Sequence, residues 1–494
     1  MVIAKTPTHQ SSWPMHESKM LIGGQLVESE SERRLSSVNP ADETEIGSVP
    51  RGNAADIAHA VDAAAQAQSS WGALSMEQRA NYLREVGRQL SARADEVLGV
   101  EVKDTGNTIG KMRADVSKAV YKFDYFAGIC YELKGSTVPA SAGNIHFSLR
   151  EPYGVVGGIA PFNHPIMFAA TRMAAPMMAG NTVVIKPSEQ SPLSATILAE
   201  ICAEIMPTGS VNIVTGLGDE AGDALVRHPK VKRIAFTGSV ATGMKIQRAA
   251  AEVAVKHVSL ELGGKNPMIV FPDADVSRAI PMAVGGMNFA WQGQSCGSTS
   301  RVLVHESLYD RFVAEIGERV AALKLGDPMD ESSQMGPINS KVQYEKVLHY
   351  IDVAEADGAR LVTGGKQPTG KQFERGYWVE PTVYADVEPA MRIAQEEVFG
   401  PILSIMKWRD IDEAVDLANS TQYGLTAAIW TENINTALQV GRRVQAGYVW
   451  INGVSGHYRG TSFGGFKNSG VGREEGVEEL LGYTEEKSLH IILN

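Results

Sequence analysis

The sequence predicts an α/β fold made of two successive α/β units with a small β arm beside them. Three observations predict it. Residues 155–160 form a short apolar run with two glycines, Pro165 opens a helical stretch that ends at Gly180, and residues 182–186 form a second apolar run. Strand, helix and strand within about 30 residues is the spacing of a right-handed βαβ crossover. These runs are continuous and β-branched rather than alternating, which fits a parallel sheet covered on both faces. The same alternation of apolar runs and helical patterns then recurs over residues 267–440.

The elements can be justified in chain order. Residues 1–18 read as a loose arm, and residues 21–27 around Gly23-Gly24 as a short hairpin. Three helices are expected next. The first begins near Asn53, a side chain able to cap, and runs through an alanine-rich stretch to Trp71. The second starts at Ser75 with Gln78 three residues on, the spacing of a capping box. It carries Tyr82, Val86 and Leu90 on one face and continues toward Val97. The third follows the Asp104-Thr105-Gly106 stop and shows Ile109, Met112, Val116, Val120 and Phe123 at helical spacing. Beyond the first crossover, strands are expected at 211–214 and 232–236, with helices at 220–226 and 241–253. The second unit supplies strands at 268–271 and 301–304 and a helix after Ser307. Residues 131–150 are polar and extended. Residues 485–493 alternate through Lys487, Leu489 and Ile491 as an edge strand does, and an edge strand is a candidate for oligomer contacts.

At 494 residues the chain exceeds what one core organises, so two or three domains are expected. Hydrophobic content of 44% and charged content of 21% are ordinary for a soluble globular enzyme. Net charge is −11, from 46 basic and 57 acidic residues, and no basic run stands out. That argues against nucleic acid and against anionic membrane surfaces. No stretch approaches the roughly 18 uninterrupted apolar residues of a membrane span, and residues 1–20 have no apolar core of a secretory signal. The three cysteines, Cys130, Cys202 and Cys296, are widely spaced and belong to no CxxC or Cys/His cluster. No structural metal and no disulfide framework are expected, and a reducing cytoplasm is the default compartment.

Several segments carry chemistry. Cys296 lies in Gln292-Gly293-Gln294-Ser295-Cys296-Gly297-Ser298, a small-residue stretch suited either to a nucleophilic thiolate or to a plain buried thiol. Glu261, in Leu260-Glu261-Leu262-Gly263-Gly264, is a carboxylate between apolar residues at a strand end. Desolvation there would raise its pKa and make it a usable base, unless backbone amides simply bind it. Asn163 precedes a helix in Pro161-Phe162-Asn163-His164-Pro165 and is read either as an N-cap or as a donor to an oxyanion. Phe236-Thr237-Gly238-Ser239 leads a strand into a helix through Gly243. That is a turn where backbone N–H groups could meet a phosphate, with Ser239 as an added donor, or an ordinary βα turn. Lys186-Pro187-Ser188-Glu189 closes the second strand of the first crossover. Open α/β sheets bind ligands at that carboxyl end, so Lys186 and Glu189 are candidates for ribose hydroxyls, with a solvated loop as the plain alternative.

Taken in order, Pro161-Phe162-Asn163, Lys186-Pro187-Ser188-Glu189, Phe236-Thr237-Gly238-Ser239, Leu260-Glu261-Leu262-Gly263-Gly264, Gly293-Gln294-Ser295-Cys296, Glu396-Glu397-Val398-Phe399-Gly400-Pro401 and Phe463-Gly464-Gly465 with Ser469-Gly470 resemble the NAD(P)-dependent aldehyde dehydrogenase superfamily. The resemblance runs from about residue 20 to the end. It implies a Rossmann-like cofactor domain (1–128 and 152–261), a second α/β catalytic domain (262–476) and an oligomerisation arm (129–151 and 477–494). It also implies a homodimer or homotetramer. Cys296 would be the nucleophile, forming a thiohemiacetal and then a thioester, and Glu261 the base that activates the hydrolytic water. The Asn163 amide and the Cys296 N–H would form the oxyanion hole. Lys186 and Glu189, with Ser188, would hold the adenosine ribose, and Ser239 with Gly238 and Gly243 the pyrophosphate. Glu397 would grip the nicotinamide ribose beside Phe399. Ile159, Ala160, Pro161, Phe162, Phe236 and Leu262 complete the implied cofactor site. Glu474 matches a carboxylate that relays protons with a basic residue, here Arg172 where the family usually has Lys. An arginine stays protonated at working pH, which speaks against a relay at this position.

The resemblance places the aldehyde among His164, Phe168, Thr171, Ser295, Gly297, His457, Tyr458 and Phe463. Arg459 and the absence of a large aromatic at Thr171 disfavour betaine aldehyde, since a cationic substrate wants an aromatic cage without a cation. Phe168, Tyr458 and Phe463 suit an aromatic or medium-chain aldehyde, whereas Arg459 or His457 would suit a semialdehyde or hydroxybenzaldehyde. Glu189 would accept both ribose hydroxyls and repel a 2′-phosphate, so NAD is expected, with Lys186 leaving room for NADP. A cofactor-independent thiol esterase and a non-catalytic use of the scaffold are the alternatives of other classes.

Overall fold

The computed structural model describes residues 16–493. The expected loose arm therefore falls mostly outside the described residues, as does Asn494. Two large sheets organise the rest. The first has eight strands in the order Gly470–Val471, His257–Glu261, Val231–Thr237, Val155–Ile159, Thr182–Lys186, Val211–Ile213, Met20–Ile22 and Gln25–Val27. Its five central strands are parallel, and the outer ones pair antiparallel. The second has seven strands: Arg360–Thr363, Thr382–Ala385, Ile402–Trp408, Arg301–His305, Pro267–Val270, Thr426–Trp430 and Tyr448–Ile451. All but the first are parallel. The central strands are buried along nearly their whole length, which is why they read as continuous apolar runs.

The hairpin of residues 21–27 forms with Gly23 and Gly24 at φ of 59° and 81°, a turn that glycine adopts without a Cβ penalty. Four helices follow rather than three: α1 (Ala54–Gly72), α2 (Met76–Ala92), α3 (Ala94–Thr105) and α4 (Ile109–Gly128). Asn53 caps α1 and Ser75 caps α2, both with reciprocal boxes, through Asp56 and Gln78. The expected second helix does not continue to Val97. Arg93 leaves helical geometry at φ −100° and ψ 17° and joins α2 to α3, held by Glu96 and Glu200. Residues 220–226 are likewise not one α-helix, since a π-turn over Gly218–Gly222 precedes the short helix Asp223–Arg227. Helix α5 (Pro165–Met178) carries Pro165 in its first turn.

In the first sheet the strand order turns back at Val155–Ile159, whose neighbours are Thr182–Lys186 on one side and Val231–Thr237 on the other. This is a topological switch point, where loops leave in opposite directions and open a crevice at the carboxyl ends. Gly158 lets α5 pack onto that strand: a Cβ there would lie 2.8 Å from Cβ of Arg172. The tail strand Thr484–Ile491 is an edge strand as expected, but one edge is already paired, antiparallel, with Ile145–Pro152 of the same chain. The C-terminal segment also returns to the first sheet, where Gly470–Val471 pairs with Leu260–Glu261. No helix among the described residues is long and apolar enough to cross a membrane. Replacing Gly158 by Val is expected to destabilise the fold by about 2 kcal/mol through overpacking against Arg172, read as a lower midpoint in chemical denaturation. An unchanged midpoint would contradict the close packing.

Candidate active site

Two cavities meet at Cys296. One, of about 570 Å³, opens at the switch point of the first sheet, and the other, of about 270 Å³, lies toward α4 and α5. Cys296, Glu261 and Thr237 line both. The loop carrying Cys296 is fixed by Asn266, whose amide donates to the carbonyls of Cys296 (2.7 Å) and Ser298 (2.9 Å). Asn266 Oδ1 accepts from Thr426 N–H in the second sheet, so the thiol is referenced to that sheet. Left-handed backbone at Gln292 (φ 52°) and Gly293 (φ 68°) turns the chain into this loop. Burial pushes the Cys296 thiol up, and the carboxylates of Glu397 and Glu261 push it further.

Asn163 is buried and donates through Nδ2 to the carbonyl of Gln294 at 2.8 Å. An amide nitrogen has two hydrogens, and the other has no partner among the described residues. Asn163 is not the N-cap of α5. His164 occupies that position, and Glu101 Oε1 accepts from the Ile166 N–H instead. Asn107 holds Asn163 from behind by donating to its carbonyl at 3.0 Å.

Glu261 ends its strand opposite Thr237 and Gly470. Both carboxyl oxygens are buried without a hydrogen-bond partner, so no backbone amide binds them. Burial raises its pKa well above the ordinary carboxylate value, and the charge of Glu474 raises it further. Glu474 meets Arg172 of α5 at 2.5 Å, and Arg172 also donates to the Thr237 hydroxyl. Burial disfavours the Arg172 cation, but Glu474 outweighs it and holds the guanidinium protonated.

The larger cavity gathers Ile159, Ala160, Pro161, Phe162, Lys186, Ser188, Glu189, Phe236, Gly238, Ser239, Leu262, Glu397 and Phe399. Gly243 does not line it; a Cβ there would lie 2.9 Å from Leu262 Cδ2, so this glycine serves helix packing. Lys186 and Glu189 pair at 2.6 Å. Burial works against the Glu189 charge, but Lys186 prevails and holds the carboxyl below its usual range. Ser239 caps the helix Val240–Ala251, accepting from Thr242 N–H at 3.2 Å, so a helix N-terminus faces the cavity. Glu397 accepts from the Gly264 N–H at 2.8 Å, and a Cβ at Gly263 would sit 2.0 Å from its carboxylate. Phe399 meets Phe162 edge-on at 5.7 Å.

All eight residues expected around the substrate, His164, Phe168, Thr171, Ser295, Gly297, His457, Tyr458 and Phe463, line the smaller cavity. Sequence reasoning missed its α4 wall, which Lys118, Tyr121, Lys122 and Tyr125 supply, and Asp115, which holds His164. Asp115 accepts from His164 at 2.6 Å and from the Trp291 indole at 3.2 Å. Burial opposes its charge, but His164 and then Lys118 keep its carboxyl below the usual range. Lys122 faces Glu475 at 3.7 Å, and His457 meets the same carboxylate at 2.9 Å. Burial opposes the Glu475 charge as well, yet Lys122 and His457 bring its pKa down to about 2. The available signal was a charge on an apolar helical stripe: Asp115 beside Met112 and Val116, and Lys122 beside Ala119 and Phe123. Among the described residues no cluster of His, Cys, Asp or Glu is placed to hold a metal ion.

The chain matches a known family along nearly its whole length. The aldehyde dehydrogenase family model matches residues 26–489. The chain belongs to the aldehyde dehydrogenase family. It is 42% identical over 494 residues to aldehyde dehydrogenase tropH from Talaromyces stipitatus, covering 99% of this chain and 95% of that one. The structure of PnpE from Pseudomonas sp. WBC-3 is similar with a TM-score of 0.94 and 38% identity, over 97% of this chain and 98% of that one. So is that of betaine aldehyde dehydrogenase from Staphylococcus aureus in complex with NAD+, at a TM-score of 0.94 and 35% identity, over 97% and 95%. The resemblance read from the motifs thus holds, and the chain is an aldehyde dehydrogenase with the mixed α/β, Rossmann-like fold of that family.

One electrostatic consequence is open to measurement. Glu261 could serve as a base only when ionised, and burial shifts that form to higher pH. Glu474→Gln removes a repelling charge and leaves Arg172 attracting, so the Glu261 pKa falls. The rising limb of the kcat–pH profile should move to lower pH; an unmoved limb, or one moved upward, would contradict the coupling.

Proposed function

We propose that this aldehyde dehydrogenase is NAD-dependent and hydrolytic, converting an aldehyde into its carboxylic acid through a thioester on Cys296. The observation that carries the reading is that Cys296 and Glu261 line both cavities, so one thiol and one base face a cofactor cleft and a substrate tunnel together. The cleft carries groups suited to a dinucleotide along its length. Lys186 and Glu189 would take the adenosine ribose, the N-terminus of the helix at Val240–Ala251 with Ser239 the pyrophosphate, and Glu397 the nicotinamide ribose beside Phe399. The carboxylate of Glu189 favours NAD over NADP. The similar betaine aldehyde dehydrogenase, a complex with NAD+, supports the choice.

The chain's own groups divide the work. Cys296 attacks the aldehyde carbon, and the free N–H of Asn163 with the Cys296 N–H stabilises the alkoxide; losing one such donor costs about 3 kcal/mol of barrier. NAD+, when bound, supplies the acceptor for the hydride that leaves this carbon. Glu261 then takes a proton from water, and the hydroxide releases the acid from the thioester. Glu474 acts on Glu261 through its charge rather than by a relay, because Arg172 is held protonated.

Phe168, Trp291, Trp450, Tyr458 and Phe463 give the tunnel an aromatic wall, which suits an aromatic or medium-chain aldehyde. A quaternary ammonium substrate is disfavoured by Arg459 at the same cavity. A cofactor-independent thiol esterase would have no use for the ordered Lys186–Glu189 end of the cleft. We assign residues 1–128 and 152–261 to the cofactor domain, 262–476 to the catalytic domain, and 129–151 with 477–494 to an oligomerisation arm. The exposed Ile145, Leu149 and Ile491 of the arm favour a homodimer or homotetramer.

Cys296→Ala should abolish NADH formation. Glu261→Gln should give a burst of about one NADH per site followed by turnover slowed at least about a hundredfold. Full steady-state activity in either variant would overturn the proposal.

A further inference from the structure

The cations around the smaller cavity are not equivalent. Arg172 pairs with Glu474, Lys118 with Asp115 at 3.3 Å and Lys122 with Glu475. Arg459 also lines this cavity, and among the described residues it has no carboxylate partner. Its guanidinium instead lies over the ring of Tyr121, 3.9 Å from the centroid. Stacking fixes the plane of the guanidinium while leaving its N–H edge free for a planar acceptor. The loop that carries it is pinned as well. Trp450 Nε1 donates to Gly456 O at 2.7 Å, and the Tyr458 N–H donates to the Tyr448 hydroxyl at 3.2 Å. Arg459 is therefore a held cation. The acids nearby are paired, Glu475 with Lys122 and Glu474 with Arg172, which weakens their opposition to an incoming anion.

We propose that Arg459 receives an anionic oxygen group at the far end of the substrate. The enzyme then takes aldehydes whose apolar or aromatic body ends in a carboxylate or phenolate. This rests on reading the smaller cavity as the aldehyde tunnel and deepens that reading: the body packs between Phe168, Trp291 and Phe463, and the charge comes to rest on the guanidinium. Arg459 is open to solvent, so the attraction weakens with added salt.

The test uses matched pairs of aldehydes with NADH as readout: para-carboxybenzaldehyde against benzaldehyde, succinic semialdehyde against butanal, and para-hydroxybenzaldehyde above its phenol pKa against para-methoxybenzaldehyde. The expected result is a charged-to-neutral ratio of kcat/KM of about ten in at least one pair, carried by KM and reduced by salt. Arg459→Gln should bring that ratio to about one, and Arg459→Lys should retain part of it. The ratio is internal to each variant, so it does not depend on how much of the protein folds. The carboxylate and phenolate arms show which anion fits. A ratio near one in every pair of the unaltered enzyme, or one that Arg459→Gln leaves intact, overturns the proposal. Oxidation of the neutral aldehydes without charge preference refutes Arg459 alone, whereas no NADH from any aldehyde refutes the functional reading beneath it.

Discussion

The buried pair of Arg172 and Glu474 is the constraint on which the site is built. Arg172 stands on α5, against the switch-point strand through Gly158, and Glu474 on the segment that returns after the second sheet. A guanidinium with no solvent access must be paired, and breaking such a pair costs about 3–5 kcal/mol. Once it forms, Thr237, the end of the Glu261 strand and the Gly470–Val471 strand are drawn to one place. The same ion pair thus joins the two halves of the chain and sets the field around Glu261.

That field works against negative charge on both Cys296 and Glu261. Burial pushes both the Cys296 thiol and the Glu261 carboxyl upward, and each group's charge disfavours the other's. Two such groups titrate as a pair rather than singly. A proton leaving one for the other avoids placing two negative charges in a poorly solvated space. Asn163, by contrast, is neutral, and Asn107 and Gln294 hold it in place.

Much of this was legible before any coordinates. Continuous β-branched runs and the Asn53 and Ser75 caps are local signals, and they mark real elements. Cys296, Glu261 and Asn163 were singled out through motifs, and all three line the larger cavity. The failures share a cause: periodicity reports that a face is buried, not what it is buried against. The break at Arg93 depends on Glu200, more than a hundred residues away. Gly243 fits a phosphate turn by type, yet its lack of a Cβ serves Leu262. Asp115 and Lys122 are charges on an apolar stripe, tolerable only because His164 and Glu475 come from distant parts of the chain.

The central claim is that a single thiol carries the acyl group and a single carboxyl removes it. It is tested most directly by rapid quenching of the Glu261→Gln protein with an aldehyde and NAD+, followed by peptide mass spectrometry. The account predicts an acyl adduct on the peptide containing Cys296, dependent on NAD+. No adduct, or one on the peptides of Cys130 or Cys202, would contradict it.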